Sequence, residues 1–350
     1  MSDTTVNQID KPAGQLIILA IESSCDETAA AVIKGGRTIL SSVIFSQIQL
    51  HVPYGGVVPE IASRSHIEQI DMVVNKALES AHVGLKDLDA VAVTQGPGLV
   101  GALLVGVSYA KGLAYALSKP LIAVNHITGH INANFLSHPE LTPPFLCLVV
   151  SGGHSHLIEV TEQRLTLVGC TQDDAAGEAF DKAARVLGLP YPGGPNLAKL
   201  AISGNPSAYH LTEPKVAGMY DFSFSGIKTG FINLVHGMEQ RGEAYDKADL
   251  AAVFQQTVVD HLCNKTIKAC RDKGWRVLAL AGGVSANSRL RTHLQSLCEA
   301  DGIELYMPPL SLCGDNAAMI GAAAYNQLLH GEAAAMDLNA NPSLSLSFGM

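Results

Sequence analysis

FLCLVVSGGHSHLIEV, residues 145–160, reads as an apolar strand, a glycine turn and a second strand. The start of the chain has the same order: LIILAIESS from residue 16, a polar turn around CDET, then AAAVIKGG and, past the Gly-Gly turn, a third strand TILSSVIF. A second parallel follows. RVLALAGGVSANSRLRTHLQSL (276–297) repeats the strand, glycine turn and helix of residues 91–117, and IELYMP (303–308) follows it as LIAVN (121–125) follows the earlier helix. Antiparallel strands that give way to alternating strands and helices, twice over, describe an α/β protein built from two duplicated lobes.

Working outward gives boundaries. Residues 1–15 are polar and are expected to form a flexible N-terminus, 16–136 the first lobe, and the proline-bearing SHPELTPP (137–144) the linker. Residues 145–330 make the second lobe, with its last helix able to pack back on the first, and 331–350 a C-terminal tail. At 350 residues and 47% apolar content the chain can bury two cores. The apolar stretch 98–117 carries Lys111 and four glycines and reads as a buried helix, so no membrane span is expected. Seven scattered cysteines without a CxxC pair argue against a disulfide framework and a thiolate zinc site, and fit a reducing cytoplasm. A net charge of −9 opposes approach to a nucleic acid unless a local basic patch or a partner compensates.

NHITGHINANFL (125–136) places His126 and His130 four apart at the start of a helix, on one face. Two imidazoles so placed can share a metal if a third ligand arrives from elsewhere; alone they are equally a polar helix face. If the lobes are duplicates, the loop after 303–308 answers the loop that carries His126, and the two face each other across a cleft. That second loop holds Asp315 ahead of an alanine-rich helix, where it is either the helix cap or the third ligand. Two imidazoles and one carboxylate suit iron(II), with zinc as the alternative.

Three glycine turns follow strands: GPG at 96–98, SGG at 151–153 and GG at 282–283. Such turns expose N–H groups to a phosphate, though none matches a P-loop or a dinucleotide fingerprint. DDAAGEAFDKAARVLGL (173–189) opens an acidic helix on which Glu178 and Asp181 lie three apart, able to meet ribose hydroxyls or simply to be solvated. DFSFSGIKTG (221–230) has the composition of a substrate-contacting or a packed loop.

Taken in order, AIESSCDET, GGVVPEIASRSH, GPGLVGALLVG, NHITGH, VVSGGHS, DDAAGEAFDKAARVLGLPYPGGP, DFSFSGIKT, AGGVSAN and CGDNAAMIG resemble the TsaD family, once labelled O-sialoglycoprotein endopeptidases, and its bacterial branch in particular. The resemblance implies RNase H-like lobes of the actin, Hsp70 and sugar kinase superfamily, with the ligand cleft between them. It implies transfer of a threonylcarbamoyl group from threonylcarbamoyl-AMP to the exocyclic amine of the tRNA adenosine beside the anticodon, with release of AMP. It implies His126, His130 and Asp315 as ligands of one divalent metal ion, Fe2+ with Zn2+ as the alternative. Val149, Val150, Ser151, Gly152 and Gly153 would line the acyl-adenylate site, which an ATP- or ADP-like nucleotide could also enter. Asp181 and Gly194 would hold the ribose and Asn287 the nucleoside. The partners implied are tRNA, TsaB and TsaE, with TsaB expected on the apolar helix faces of the first lobe, such as 61–78.

Glu27, in the CDET turn, is the candidate to take the proton of the attacking amine, with His154 as a rival. Arg64, Lys228, Arg289 and Arg291 are candidates for a cationic rim toward tRNA. Two other readings compete. Paired histidines also occur in metallopeptidases, but HITGH lacks the glutamate of HExxH; and an ATP-binding scaffold is open to any protein of this fold.

Overall fold

The structure, a computed structural model, describes residues 11–346. Of the expected N-terminal segment 1–15, all but 11–15 lie outside the described residues. In chain order come β1 (Ile17–Glu22), β2 (Glu27–Lys34), β3 (Thr38–Ser46), α1 (Ile48–His51), α2 (Pro59–Ala81), β4 (Ala90–Gly96), α3 (Val100–Leu117), β5 (Leu121–Asn125) and α4 (His126–Ser137). Then follow β6 (Phe145–Val150), β7 (Ser155–Val160), β8 (Leu165–Cys170), α5 (Ala176–Val186), α6 (Gly193–Ala201), α7 (Ser225–Arg241), α8 (Lys247–Lys273), β9 (Val277–Ala281), α9 (Ser288–Asp301), β10 (Glu304–Tyr306) and α10 (Ala317–Leu329).

Two five-stranded sheets share one topology. The first runs β3-β2-β1-β4-β5, and the second, read from its far edge, β8-β7-β6-β9-β10. In each, the first three strands form an antiparallel meander and the last two join in parallel, so the duplication is real at the level of strand order. β1 and β6 are near-continuous apolar runs because both faces of these central strands are covered.

The described residues form two compact units, one of those up to 141 with those from 315 onward, and one of residues 142–314. This differs from the expected second lobe of 145–330: the segment from Asp315 onward belongs to the first unit. The cause lies in small residues. A Cβ on Gly321 of α10 would stand 2.5 Å from Ile33 Cγ1 on β2, and one on Gly129 of α4 would stand 2.7 Å from Ile320 Cδ1. Bare glycine at both places lets α10 lie against β2 and α4 at close range. The other side of this sheet is covered by α2 and α3, whose Val73, Val74 and Val107 join Leu19, Ile21, Val32, Val91 and Val93 in the core. Each such side chain stabilises the fold by about 1.5–3 kcal/mol.

α3 is long and apolar enough to cross a membrane by length and composition. Its Ala102, Leu103, Gly106, Val107, Ala110 and Ala114 face is buried in the first unit. In the second unit, Leu146, Leu148 and Val150 share a core with five phenylalanines, 180, 222, 224, 231 and 254. DFSFSGIKTG is not one loop: α7 begins at Ser225, and Phe222 and Phe224 are core residues.

Candidate functional site

The two histidines stand where their spacing places them, on the first turns of α4. Asn125 caps that helix, its Oδ1 accepting from the N–H groups of Ile127 (2.9 Å) and Thr128 (3.4 Å). Asp315 reaches them because α10 packs on α4 through Gly129, and because Asp315 is not the cap of α10. Asn316 takes that role by accepting from Met319 N–H at 3.0 Å, which leaves the Asp315 carboxylate turned to the imidazoles. Its Oδ1 lies 3.4 Å from His126 Nε2 and 3.3 Å from His130 Nε2. The ligand atoms of the three residues fall within 4.8 Å of one another. All three belong to the first unit, so the expected arrangement of ligands facing each other from two lobes is not what the fold builds.

A divalent ion fits these residues. Ligands at about 2.1 Å from zinc or iron stand about 3.4 Å apart at the tetrahedral angle, which the two N–O separations match. His130 is fully buried, yet neither of its ring nitrogens has a hydrogen-bond partner among the described residues. A buried polar group in that condition costs roughly 1–3 kcal/mol unless something else binds it. Two imidazoles and a carboxylate supply the lone pairs for such an ion.

A fourth residue, missed at the level of sequence, completes the centre. Glu22, the last residue of β1, is fully buried and stands 3.0 Å from His126 Nδ1 with Oε2. Thr94 Oγ1 donates to the same oxygen at 2.6 Å, and Ser24 N–H to Oε1. An ionised carboxylate only accepts, so Nδ1 is the donor and Nε2 is directed at Asp315. Burial opposes the charge of His126, but the Asp315 and Glu22 carboxylates outweigh it and raise its pKa well above the ordinary imidazole value. Burial likewise opposes ionisation of Asp315, and the His126 charge, with the His130 imidazole close by, holds its carboxyl below the usual range. For His130 burial dominates and lowers the pKa. The only sequence signal for Glu22 is a charged residue closing an otherwise apolar strand.

Glu27 opens β2 and accepts from Ser46 Oγ at 2.8 Å. Burial, then the charges of Asp26 and Asp315, push its carboxyl up to about 9. It therefore holds a proton at neutral pH, and a cation bound by Asp315 would oppose that shift and bring it toward a proton acceptor. His154 lies in the second unit, its backbone paired with Ser151 across the SGG turn.

The residues implied for the adenylate fall in the second unit. Val149 and Val150 are buried at the end of β6, and the Val150 side chain lies in the core, so only backbone is offered there. Ser151 is buried while Gly152 and Gly153 are exposed, with open space where a Cβ would stand on either. The N-terminus of α5 abuts this turn: Gly177 N–H donates to Ser151 O, and a Cβ on Gly177 would meet that oxygen at 2.7 Å. Gly282 adopts φ +89 with its Cα side against Val150 O, which brings the 282–283 turn to the same strand end. Asp181 Oδ1 accepts from Gly194 N–H at 2.9 Å, so these two are brought together. Asn287 caps α9 through Leu290 N–H and donates to Gln255 Oε1 at 2.9 Å.

The structure narrows two expectations here. The GPG turn is not open to a phosphate, since Gly98 N–H already donates to Pro342 O at 3.2 Å. Of the cationic rim, Lys228 is paired with Asp174, and Arg291 donates to Ser285 O and Pro308 O. Arg289 binds Gln256 Oε1 at 2.7 Å on an exposed surface, and Arg64 is exposed on α2.

The 221–225 segment is fixed by two groups. Asp173 accepts from Ser223 Oγ, Phe224 N–H, Ser225 N–H and Ser225 Oγ, and His261 Nε2 accepts from Ser223 N–H at 3.3 Å. Burial, then the Lys265 charge, push His261 down to about 4 from an ordinary 6.5. The unfolded chain takes up this proton at the higher pH and the folded chain only at the lower. The neutral ring thus contributes stability that is full above 6.5 and falls as the pH drops toward 4. We expect a loss of up to about 3 kcal/mol from this group. Urea unfolding near neutrality and in mild acid should show a smaller acid loss in His261→Asn than in the parent; equal losses would refute the assignment.

The model of the family described as "TsaD: tRNA N6-adenosine threonylcarbamoyltransferase" matches residues 38–322. A tRNA N6-adenosine threonylcarbamoyltransferase of Clostridium perfringens is 55% identical over 332 residues, covering 94% of this chain and 98% of that one. Its counterpart in Clostridioides difficile is 51% identical over 334 residues, covering 95% and 99%. Among solved structures, HypF of T. kodakarensis is similar at a TM-score of 0.64 with 15% identity, over 93% of this chain and 50% of that one. Component A of the (R)-2-hydroxyglutaryl-CoA dehydratase of Acidaminococcus fermentans is similar at 0.54 with 17% identity, over 90% and 100%. These two likenesses speak for the fold alone; the sequence matches speak for more. With the family model and curated relatives both spanning most of its length, the chain belongs to the TsaD family of tRNA N6-adenosine threonylcarbamoyltransferases.

Proposed function

We propose that the chain moves a threonylcarbamoyl group from threonylcarbamoyl-AMP to the exocyclic amine of the tRNA adenosine beside the anticodon. The amine nitrogen bonds to the carbamoyl carbon, the bond from that carbon to the AMP phosphate oxygen breaks, and the amine gives up one proton. A mixed anhydride is already activated, so the protein's work is to position the amine, stabilise the developing oxyanion and exclude water. The observation that carries the reading is the convergence of His126, His130 and Asp315, with buried His130 unpartnered. A divalent ion, Fe2+ or Zn2+, held by those residues would act as a Lewis acid toward oxygens of the acyl-adenylate.

The other roles rest on this chain's own groups. The open SGG backbone suits the phosphate, with the N-terminus of α5 behind it. Asp181 and Gly194 sit together for the ribose, and Asn287 for the nucleoside. Glu27 is the proposed acceptor of the amine proton, and a cation held beside it would lower its pKa toward that role. A metallopeptidase reading is disfavoured, because the position of the HExxH glutamate is held by Ile127, buried in the core.

TsaB is the partner proposed for the first unit. Ile67 and Met72 on α2 and Val100 and Leu104 on α3 are large, apolar and exposed, which fits a docked protein surface. With a net charge of −9 and two of four rim cations already engaged, tRNA is held with help from partners, TsaE included. A reducing cytoplasm is the compartment proposed, a reading supported by seven scattered cysteines without a CxxC pair. The test is reconstitution: chain, threonylcarbamoyl-AMP and unmodified tRNA, with and without TsaB and TsaE. Modified adenosine and AMP in equal amounts are expected, with dependence on the partners; no modification in the complete mixture would overturn the reading.

A further inference from the structure

The tail is not a loose end. Ala334 N–H donates to Leu121 O at 2.7 Å, and Lys111 Nζ to Leu338 O at 2.9 Å. Gln95 gives its side chain to Asn339 O and takes the N–H of Asn341 at its carbonyl, and Gly98 N–H reaches Pro342 O. Ala334, Leu338 and Ala340 pack against the core of the first unit. Residues 334–345 thus run as a strap from the start of β5 to the C-terminal ends of β4 and β5, and β5 leads directly into α4. The fit is close: a Cβ on Gly96 would stand 1.8 Å from Asn341 O and 3.1 Å from Leu344 Cβ.

The strap ends on the residue that starts the metal helix. Asn125 is buried, and its amide works in both directions: Oδ1 caps α4 at Ile127 and Thr128, while Nδ2 donates to Ser345 O at 3.1 Å. An asparagine cap can swing its amide about χ2; a second bond from the other end of the amide fixes it. His126 is the next residue, and its Nε2 has to keep its 3.4 Å placement relative to Asp315 Oδ1 for both to bind one ion.

We propose that the strap is a positioning element of the metal centre, holding through Asn125 the first turn of α4 so that His126 points at the ion site. This rests on the metal reading above. Cobalt(II) alone is the probe, because its visible ligand-field spectrum reports the number and arrangement of its ligands apart from any activity. Three variants disturb the strap differently. Deleting residues 338–350 removes the part that reaches Gln95, Gly98 and Asn125, Gly96→Ala lifts it, and Asn125→Asp keeps an oxygen cap while losing the donor to Ser345. Aspartate caps helices as well as asparagine does, so this last variant should fold like the parent.

The full chain should bind one cobalt, and His126→Ala should not. Each strap variant should bind cobalt about tenfold or more weakly, the usual cost of losing support behind a ligand, with an altered spectrum. If the strap variants match the parent in affinity and spectrum while His126→Ala fails, the strap has no such role. If the parent and His126→Ala bind cobalt equally, the metal reading fails and this inference falls with it.

Discussion

Replacing His130 with leucine should abolish metal binding and lower threonylcarbamoyl transfer at least about 100-fold, yet leave the metal-free protein at least as stable as the parent. The two signs differ because of where the ring sits. His130 is fully buried on α4, with no hydrogen-bond partner for either ring nitrogen among the described residues and only the Asp315 carboxylate, 3.3 Å from Nε2, close by. Leucine has nearly the same volume and no polar atoms, so the substitution removes the cost of an unsatisfied buried group, about 1 kcal/mol or more. It also removes one of three ligands, and Lewis-acid stabilisation worth several kcal/mol cannot survive that. His126→Ala should kill binding as well, but with a stability loss of about 3–5 kcal/mol, since it strands buried Glu22 without its partner. Thermal unfolding with and without added metal, beside a transfer assay, separates the two. A His130→Leu protein that binds metal normally, or that unfolds far below the parent, would show His130 to be a packing residue.

How far the sequence alone reaches varies from residue to residue. The paired histidines were legible because four residues are one helical turn, a local property. Asp315 was also anticipated, but by a symmetry that the fold uses differently. The strand orders do match, yet Asp315 meets the histidines through Gly129 and Gly321, which seat α10 in the first unit. Close helix packing of that kind joins residues nearly 190 positions apart, and no periodicity reports it. The GPG and SGG turns look alike in sequence because both are strand-ending glycine turns. Only one is open, since a strap from far along the chain covers the other. Arg291 likewise reads as a surface cation until its carbonyl partners are seen. Local spacing thus carried the helices, strands and one ligand pair, while covering, capping and second contacts depended on the tertiary arrangement.

The largest effect beyond the ligands themselves is expected at Glu22. Its carboxylate accepts from His126 Nδ1, Thr94 Oγ1 and Ser24 N–H, with no room for a donor of its own. Glu22→Gln keeps the shape and replaces one acceptor by an NH2 group. Turned toward Ser24, the NH2 faces another donor. Turned toward His126, it selects the tautomer with hydrogen on Nε2, the nitrogen that has to offer its lone pair. Either orientation should lower metal affinity about 10–100-fold, with kcat falling and the KM for the acyl-adenylate nearly unchanged, since the SGG and Asp181 groups are untouched. Glu22→Ala should be worse, because it strands three donors in a cavity and adds a destabilisation of about 3 kcal/mol or more. Chelator competition measures the first quantity and steady-state kinetics the split. Should Glu22→Gln hold its metal as tightly as the parent, Glu22 would be a buried charge that serves folding alone, and the aim of His126 would have to come from the helix cap by itself.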